Sequence, residues 1–134
     1  MQNVLSQLPN DDIKVYVVWE PIRFFDGEGA AVKSQALVPD PRTRHFWARD
    51  FQFASSVQAP FGLAAEPVWD VYLLYAGDAT WGREAVPVPR TFMHQLPGRL
   101  PDEKLLNESE LVGRVQNLLE DGPHRAIVLT GARR

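Results

Sequence analysis

One ten-residue stretch, 66–75 (EPVWDVYLLY), constrains the fold of this chain more than any other. It begins with Glu66 and Pro67 and continues as a dense run of aromatic, β-branched and leucine side chains. Such side chains suit a pleated surface that is covered by other parts of the protein. A proline is tolerated at the first position of a strand, where its nitrogen need not donate to the ladder. The stretch therefore predicts a buried β-strand over residues 68–75.

The composition is that of an ordinary globular protein, with 45% hydrophobic and 23% charged residues in a chain of 134. A chain of this length buries a sizeable core and fits a single domain over residues 1–134. The formal net charge is −3 at pH 7, and the basic residues are scattered. Because a nucleic-acid-binding protein usually carries a clustered basic surface, no nucleic-acid partner is expected.

The chain contains no cysteine. It therefore forms no disulfide of its own and offers no thiolate nucleophile, no Cys-ligated zinc and no iron–sulfur cluster. The first nine residues have neither the basic start nor the apolar run of a secretory signal, and no apolar run approaches the ~20 residues that span a bilayer. We expect a cytoplasmic protein that does not insert into membranes, with no metal and no other cofactor.

Apolar spacing and turn residues predict an α/β order of elements. Asp40 and Pro41 suit the cap and the first position of a helix, and five apolar residues lie on one face of the last helix. The predicted elements are the end of a helix at 1–8, a central strand at 13–22, a short helix at 30–37, a helix from 40 to 52 or 58, strands at 68–75 and 91–96, a helix at 109–120 and a final short strand at 126–130.

Five segments of the chain, together covering roughly residues 13–96, resemble a poorly characterised group of bacterial thioredoxin-like proteins. The resemblance implies a thioredoxin-like sheet with flanking helices, from which the first strand and most of the first helix are missing. The segments that carry it are Val17-Val18-Trp19-Glu20-Pro21, Asp40-Pro41-Arg42 through His45-Phe46-Trp47, Trp69-Asp70-Val71-Tyr72-Leu73-Leu74-Tyr75, Trp81-Gly82 and Met93-His94-Gln95-Leu96.

By the same resemblance, Pro67 occupies the place of a cis-proline that faces a Cys-x-x-Cys pair just before the third strand. A cis bond is uncommon, at roughly 5–6% of X-Pro bonds. The chain has neither the segment that would carry the redox pair nor any cysteine. Thiol–disulfide exchange requires an attacking thiolate, so no redox activity is expected from this chain.

Five residues make up the candidate interface or structural site: Pro67, Trp19, Trp69, Asp70 and His94. His94 is interpreted as a hydrogen-bonded structural histidine, with acid–base work alongside Glu20 or Asp70 as the alternative. Glu20 and Asp70, on neighbouring predicted strands, would shift each other's pKa if they met; in the preferred interpretation each points to a sheet edge or caps a turn. The tryptophans are core residues or line a face that the missing first helix leaves uncovered.

Two functions from different classes follow. In the preferred one, the chain is a non-catalytic binding or structural subunit that meets a protein partner, or a second copy, through an exposed sheet edge beside strand 13–22 or through an uncovered apolar face. In the alternative, it is an N-terminally incomplete thiol–disulfide oxidoreductase-like protein whose cysteines lie outside this chain. A third hypothesis is a cysteine-free enzyme that uses His94.

Overall fold

Helices and strands alternate along the chain in the computed structural model, which describes residues 1–21, 27–58, 61–62, 68–82, 86–121 and 126–132, the last range by its backbone. The elements are helix α1 (Gln2–Ser6), strand β1 (Lys14–Trp19), helix α2 (Glu28–Ser34), strand β2 (Thr43–Trp47), helix α3 (Gln52–Ser56), strands β3 (Val71–Ala76) and β4 (Thr91–His94), helix α4 (Glu108–Asp121) and strand β5 (Ala126–Ala132).

The strands form one mixed sheet in the order β2-β1-β5-β3-β4. Strands β2, β1 and β5 are mutually parallel, whereas β3 runs antiparallel to both β5 and β4. The last strand in sequence is therefore the middle strand of the sheet. It separates β1 from β3, and α4 supplies the crossover that carries the chain from the β4 edge back to the centre.

Apolar clusters cover both faces of this sheet. On one face, the alternating β1 residues Val15, Val17 and Trp19 pack with buried side chains of α1, α2 and α4. On the other face, Val18 of β1 packs with Val57, which directly follows α3, and with the odd-numbered residues of β3. Because both faces are covered, every residue of β3 is buried. The dense apolar run that predicted this strand is thereby explained, and the α/β class is confirmed.

The predicted helix from Asp40 onward is wrong over its first half, where Thr43–Trp47 form a strand. The Asp40 carboxylate does not cap a helix: it accepts hydrogen bonds from the Arg42 backbone N–H at 3.0 Å and from the Arg42 guanidinium at 2.7 and 2.8 Å. The same guanidinium donates to the carbonyls of Leu5, Leu8 and Asn10. This cluster fixes the end of α1 against the start of β2, which then pairs with β1.

The predictions for the last helix and the last strand agree with the structure. The helix expected at 109–120 is present as α4, and the strand expected at 126–130 is present as the longer β5. The predicted free sheet edge beside strand 13–22 is wrong, because β1 is paired on one side with β2 and on the other with β5. Among the described residues, no helix is long and apolar enough to cross a membrane.

Candidate functional site

The carboxyl ends of three parallel strands meet at one edge of the sheet, which we call the carboxyl edge. Trp19, the last residue of β1, is paired with Ala132 of β5. Val71, the first residue of β3, is paired with Gly131 of β5 and with His94, the last residue of β4. Binding sites of α/β sheets are commonly found where parallel strands end.

Four of the five candidate residues lie at this edge. Trp19 ends β1, Trp69 and Asp70 immediately precede β3, and His94 ends β4. Pro67 lies outside the described residues. Because β5 and β3 stand between β1 and β4, three strand spacings of about 4.8 Å separate Trp19 from His94, or roughly 14 Å. The edge therefore brings Trp69, Asp70 and His94 together and leaves Trp19 apart.

His94 is fully buried and both of its ring nitrogens are occupied. Nδ1 accepts a hydrogen bond from the Leu96 backbone N–H at 3.0 Å, and Nε2 lies 2.9 Å from the Pro101 carbonyl oxygen. An imidazole with its proton on Nε2 satisfies both contacts. This geometry is that of a structural histidine which holds the turn after β4, and acid–base chemistry would first have to break one of the two bonds.

Trp19 is tied into a second histidine cluster. Its indole Nε1 donates to His45 Nδ1 at 3.2 Å, the two rings stack with centroids 6.0 Å apart, and His45 Nε2 lies 3.2 Å from the Val38 carbonyl oxygen. Trp19 is 5% exposed and belongs to the core. It therefore links β1 to β2 and is not a surface on which a partner can dock.

Trp69 and Asp70 form the partly buried section of the carboxyl edge just before β3. The Arg99 guanidinium lies 4.6 Å from the centre of the Trp69 ring, within the range of a cation–π contact. Asp70 has a φ of +51°, a left-handed conformation that is uncommon for a residue other than glycine and that aspartate tolerates better than most. Its carbonyl accepts the Gln95 N–H at 2.9 Å, which joins the start of β3 to the end of β4.

Next to Trp69 and Asp70, the Gln95 side-chain Oε1 accepts a hydrogen bond from the Tyr72 hydroxyl at 3.3 Å. Burial, followed by the negative charges of Asp70 and Glu108, raises the pKa of Tyr72 to about 12. The phenol therefore stays protonated at physiological pH and acts as a hydrogen-bond donor. The arrangement joins the start of β3 to the segment that follows β4.

Glu20 is an ionisable residue whose burial the sequence analysis missed. It directly follows β1, is 4% exposed, and its Oε1 accepts the Ala54 backbone N–H at 3.1 Å, in the first turn of α3. Its Oε2 contacts no partner in the described part of the chain. Burial raises the pKa of Glu20 to about 7, the Ala54 N–H opposes that rise, and the negative charge of Asp50 adds to it. A carboxyl at the end of a nearly continuous apolar strand was the available signal.

The alternative in which Glu20 and Asp70 meet on neighbouring strands does not hold in the structure. Strand β5 lies between the strands that carry them, so two strand spacings, roughly 10 Å, separate their backbones. The Asp50 carboxylate, and not that of Asp70, is the acidic neighbour that acts on Glu20.

A different part of the sheet has unpaired backbone groups. Val15 N–H bonds to Arg42 O, and Ala48 N–H bonds to Trp19 O, both across the β1–β2 pair. Since bonding alternates along a parallel pair, the N–H and C=O of Arg44 and Phe46 face β1, whereas those of His45 and Trp47 face outward. No hydrogen bond joins these outward groups to another described residue. We call this row the β2 edge.

One face of the β2 edge carries exposed side chains. Phe46 is 49% exposed and Arg44 is also exposed, and both lie on the face that carries Tyr16, whose ring centroid is 6.0 Å from that of Phe46. At the opposite side of the sheet, β4 is partly covered: Leu106 N–H bonds to His94 O at 2.7 Å and Leu105 forms a bridge with His94. The β2 edge is therefore the more open of the two.

An open pocket of about 470 Å³ lies at the other end of β3 from the carboxyl edge. Tyr75 lines it, and burial raises the pKa of this tyrosine to about 12. The remaining lining comes from the turn after β3 and the proline-rich segment before β4, namely Ala76, Asp78, Ala79, Pro87, Val88, Pro89 and Arg90. Among the described residues that line the pocket, Asp78 is acidic and Arg90 is basic.

No cluster of three or more His, Cys, Asp or Glu side chains able to hold a metal ion occurs within the described ranges. A comparison with protein-family models finds no matching model, and comparisons with curated proteins and with solved structures find no significant match. The geometry of the β2 edge and of the carboxyl edge thus carries the functional interpretation.

Proposed function

We propose that this chain is a non-catalytic, thioredoxin-like domain that binds a protein partner by adding a strand at the β2 edge. The observation that carries the proposal is the row of outward N–H and C=O groups at His45 and Trp47, with the exposed Phe46 between them. Unpaired backbone groups at a sheet edge form a template on which an extended chain docks, because each new hydrogen bond replaces one to water and excludes solvent from the row.

The order of elements supports the thioredoxin-like part of the proposal. The resemblance implies a sheet that lacks its first strand, which would leave β1 and β3 without a common neighbour. Strand β5 lies between them, parallel to one and antiparallel to the other. The described residues thus form a continuous sheet in which β5 is the common neighbour of β1 and β3.

The hydrogen bonds of His94 and His45 favour binding over acid–base catalysis. Both nitrogens of His94 are engaged by backbone groups, and His45 is engaged by Trp19 and by Val38. A general base needs a free nitrogen within hydrogen-bond reach of its substrate. The hypothesis of an enzyme built on His94 therefore requires a rearrangement of the turn after β4, whereas binding at the β2 edge requires none.

Peptide selection combined with amide exchange tests the proposal. A displayed library of random heptapeptides is selected on the chain, and exchange of the His45 and Trp47 amides is followed by NMR with and without the selected peptides. We expect rapid exchange of both amides in the monomeric chain and slow exchange in a complex at this edge, while the inward Arg44 and Phe46 amides stay protected throughout. Selected peptides that leave the His45 and Trp47 amides unchanged would refute binding at this edge.

A further inference from the structure

We propose that the occupant of the β2 edge is a second copy of this chain, paired antiparallel with the first about a two-fold axis at His45. This inference rests on the proposed binding function and names its partner. The reason is that the short sequence Thr43–Trp47 is complementary to itself in one register, both in its backbone groups and in its side chains.

The backbone groups fit that register. Two outward-facing His45 residues would exchange a pair of N–H···O=C bonds across the axis. The Trp47 N–H of each copy would donate to the carbonyl of the partner's Thr43. The Thr43 N–H is already bonded to Asp40 O at 2.9 Å, so the ladder would end there. Four intermolecular hydrogen bonds result, and no bond between β1 and β2 is broken.

The side chains fit the same register. Arg44 would lie opposite the partner's Phe46 in a non-hydrogen-bonded pair, the kind of pair that brings side chains closest. A guanidinium over a phenyl ring is a favourable cation–π contact, and the two-fold axis creates it twice. Both side chains are exposed in the single chain and lie on the same face of the sheet, so neither has to leave the core.

Neighbouring registers are less favourable. A shift of the axis to Arg44 would place two guanidinium groups opposite each other, and like charges directly across a strand pair are destabilising. A shift to Phe46 would place Arg44 opposite the partner's Ala48 and leave the Thr43 carbonyl outside the ladder. The register centred on His45 is the one that uses both the charge and the aromatic ring.

A matched pair of substitutions at Phe46 tests the pairing. In Phe46→Lys the new ammonium faces the partner's Arg44, whereas in Phe46→Glu a carboxylate faces it. Both variants lose the Tyr16 contact and the aromatic ring equally. Because cross-strand pairs contribute about 0.2–1 kcal/mol each and occur twice, we expect dimerisation about tenfold weaker in Phe46→Lys than in Phe46→Glu. The double variant Arg44→Glu/Phe46→Lys restores opposite charges and is expected to recover dimerisation.

Sedimentation equilibrium at low salt measures these constants over protein concentrations of about 0.01 to 1 mM, the range suited to a small interface. Circular dichroism checks that the variants retain the fold of the parent chain. A chain that remains monomeric throughout this range, or Phe46 variants with equal dimerisation constants, would overturn the inference. Peptides that still protect the His45 and Trp47 amides would then uphold the proposed function with a different partner, while failure of both experiments would remove both proposals.

Discussion

Replacement of Glu20 by glutamine is expected to stabilise the protein above neutral pH and to leave its stability nearly unchanged in acid. Glu20 is 4% exposed, and its pKa is raised from 4.5 to about 7, chiefly by burial. In the unfolded chain the carboxyl loses its proton at about its ordinary pKa. Between the two values the folded state holds a proton that the unfolded state has released, so stability falls as the pH rises.

The size of the effect follows from that difference. One pKa unit corresponds to about 1.4 kcal/mol, so a rise from 4.5 to about 7 corresponds to about 3 kcal/mol of lost stability once the pH exceeds 7. Glutamine resembles the protonated acid, because its Oε1 still accepts the Ala54 N–H and it carries no charge. We therefore expect Glu20→Gln to match the parent chain below pH 4.5 and to exceed it by about 2–3 kcal/mol at pH 8.

Urea unfolding followed by tryptophan fluorescence at several pH values between 4 and 8 measures the difference between the two chains. Taking the difference removes the contributions of all other titrating groups. Glu120→Gln, on the exposed face of α4, is the matched control and is expected to change stability by less than about 0.5 kcal/mol at every pH. A Glu20→Gln chain that is no more stable than the parent at pH 8 would refute the interpretation of Glu20 as a buried, proton-holding cap of α3.

Three further outcomes test the structural side chains. Arg42→Lys is expected to cost about 2–4 kcal/mol of unfolding free energy, because an ammonium cannot reproduce the guanidinium's hydrogen bonds to Asp40 and to three carbonyls. The exposed Arg44→Lys serves as the control. Equal unfolding midpoints of the two variants would contradict the role of Arg42. The Arg42 hydrogen bond holds the pKa of Asp40 below its usual value. Asp40 therefore stabilises the fold at any pH above that usual pKa, and this contribution is lost as the pH falls through the lowered pKa. Acid unfolding of Asp40→Asn should lack this pH-dependent component. His94→Leu is expected to cost about 2–4 kcal/mol of unfolding free energy, because it leaves two buried backbone groups unpaired. His94→Asn is expected to cost less, because the asparagine Oδ1 can accept the Leu96 N–H. Equal losses of stability in urea unfolding would mean that this hydrogen bond contributes little.

The strongest sequence patterns located their elements well. The run at 68–75 predicted β3, and the spacing of apolar residues predicted α4 to within one residue at each end. Both patterns are dense, so local sequence alone decides the period and the burial. The prediction of a hydrogen-bonded structural histidine at position 94 agrees with the two bonds that its ring makes.

The segment after Asp40 shows why other predictions failed. Asp40-Pro41 carries the local signature of a helix start, yet in the structure the burial of Thr43–Trp47 alternates with the period of a strand. The strand forms in place of the helix for two reasons. The Arg42 guanidinium bonds both to the Asp40 carboxylate and to the end of α1, and Thr43–Trp47 pair with β1. The α1 and β1 partners in these contacts lie 28 to 37 residues away in sequence, so no local window contains the information.

The sequence by itself determined the α/β class, the buried strand that follows Pro67 and the absence of thiol chemistry in this chain, because composition and short-range periodicity are sufficient for each. The tertiary structure alone decided that β5 lies in the middle of the sheet. That placement separates Glu20 from Asp70 and leaves β2 as the open edge. Strand order depends on which strands bury each other's faces, a long-range property, and it moved the candidate binding surface from the strand at 13–22 to its neighbour at Thr43–Trp47.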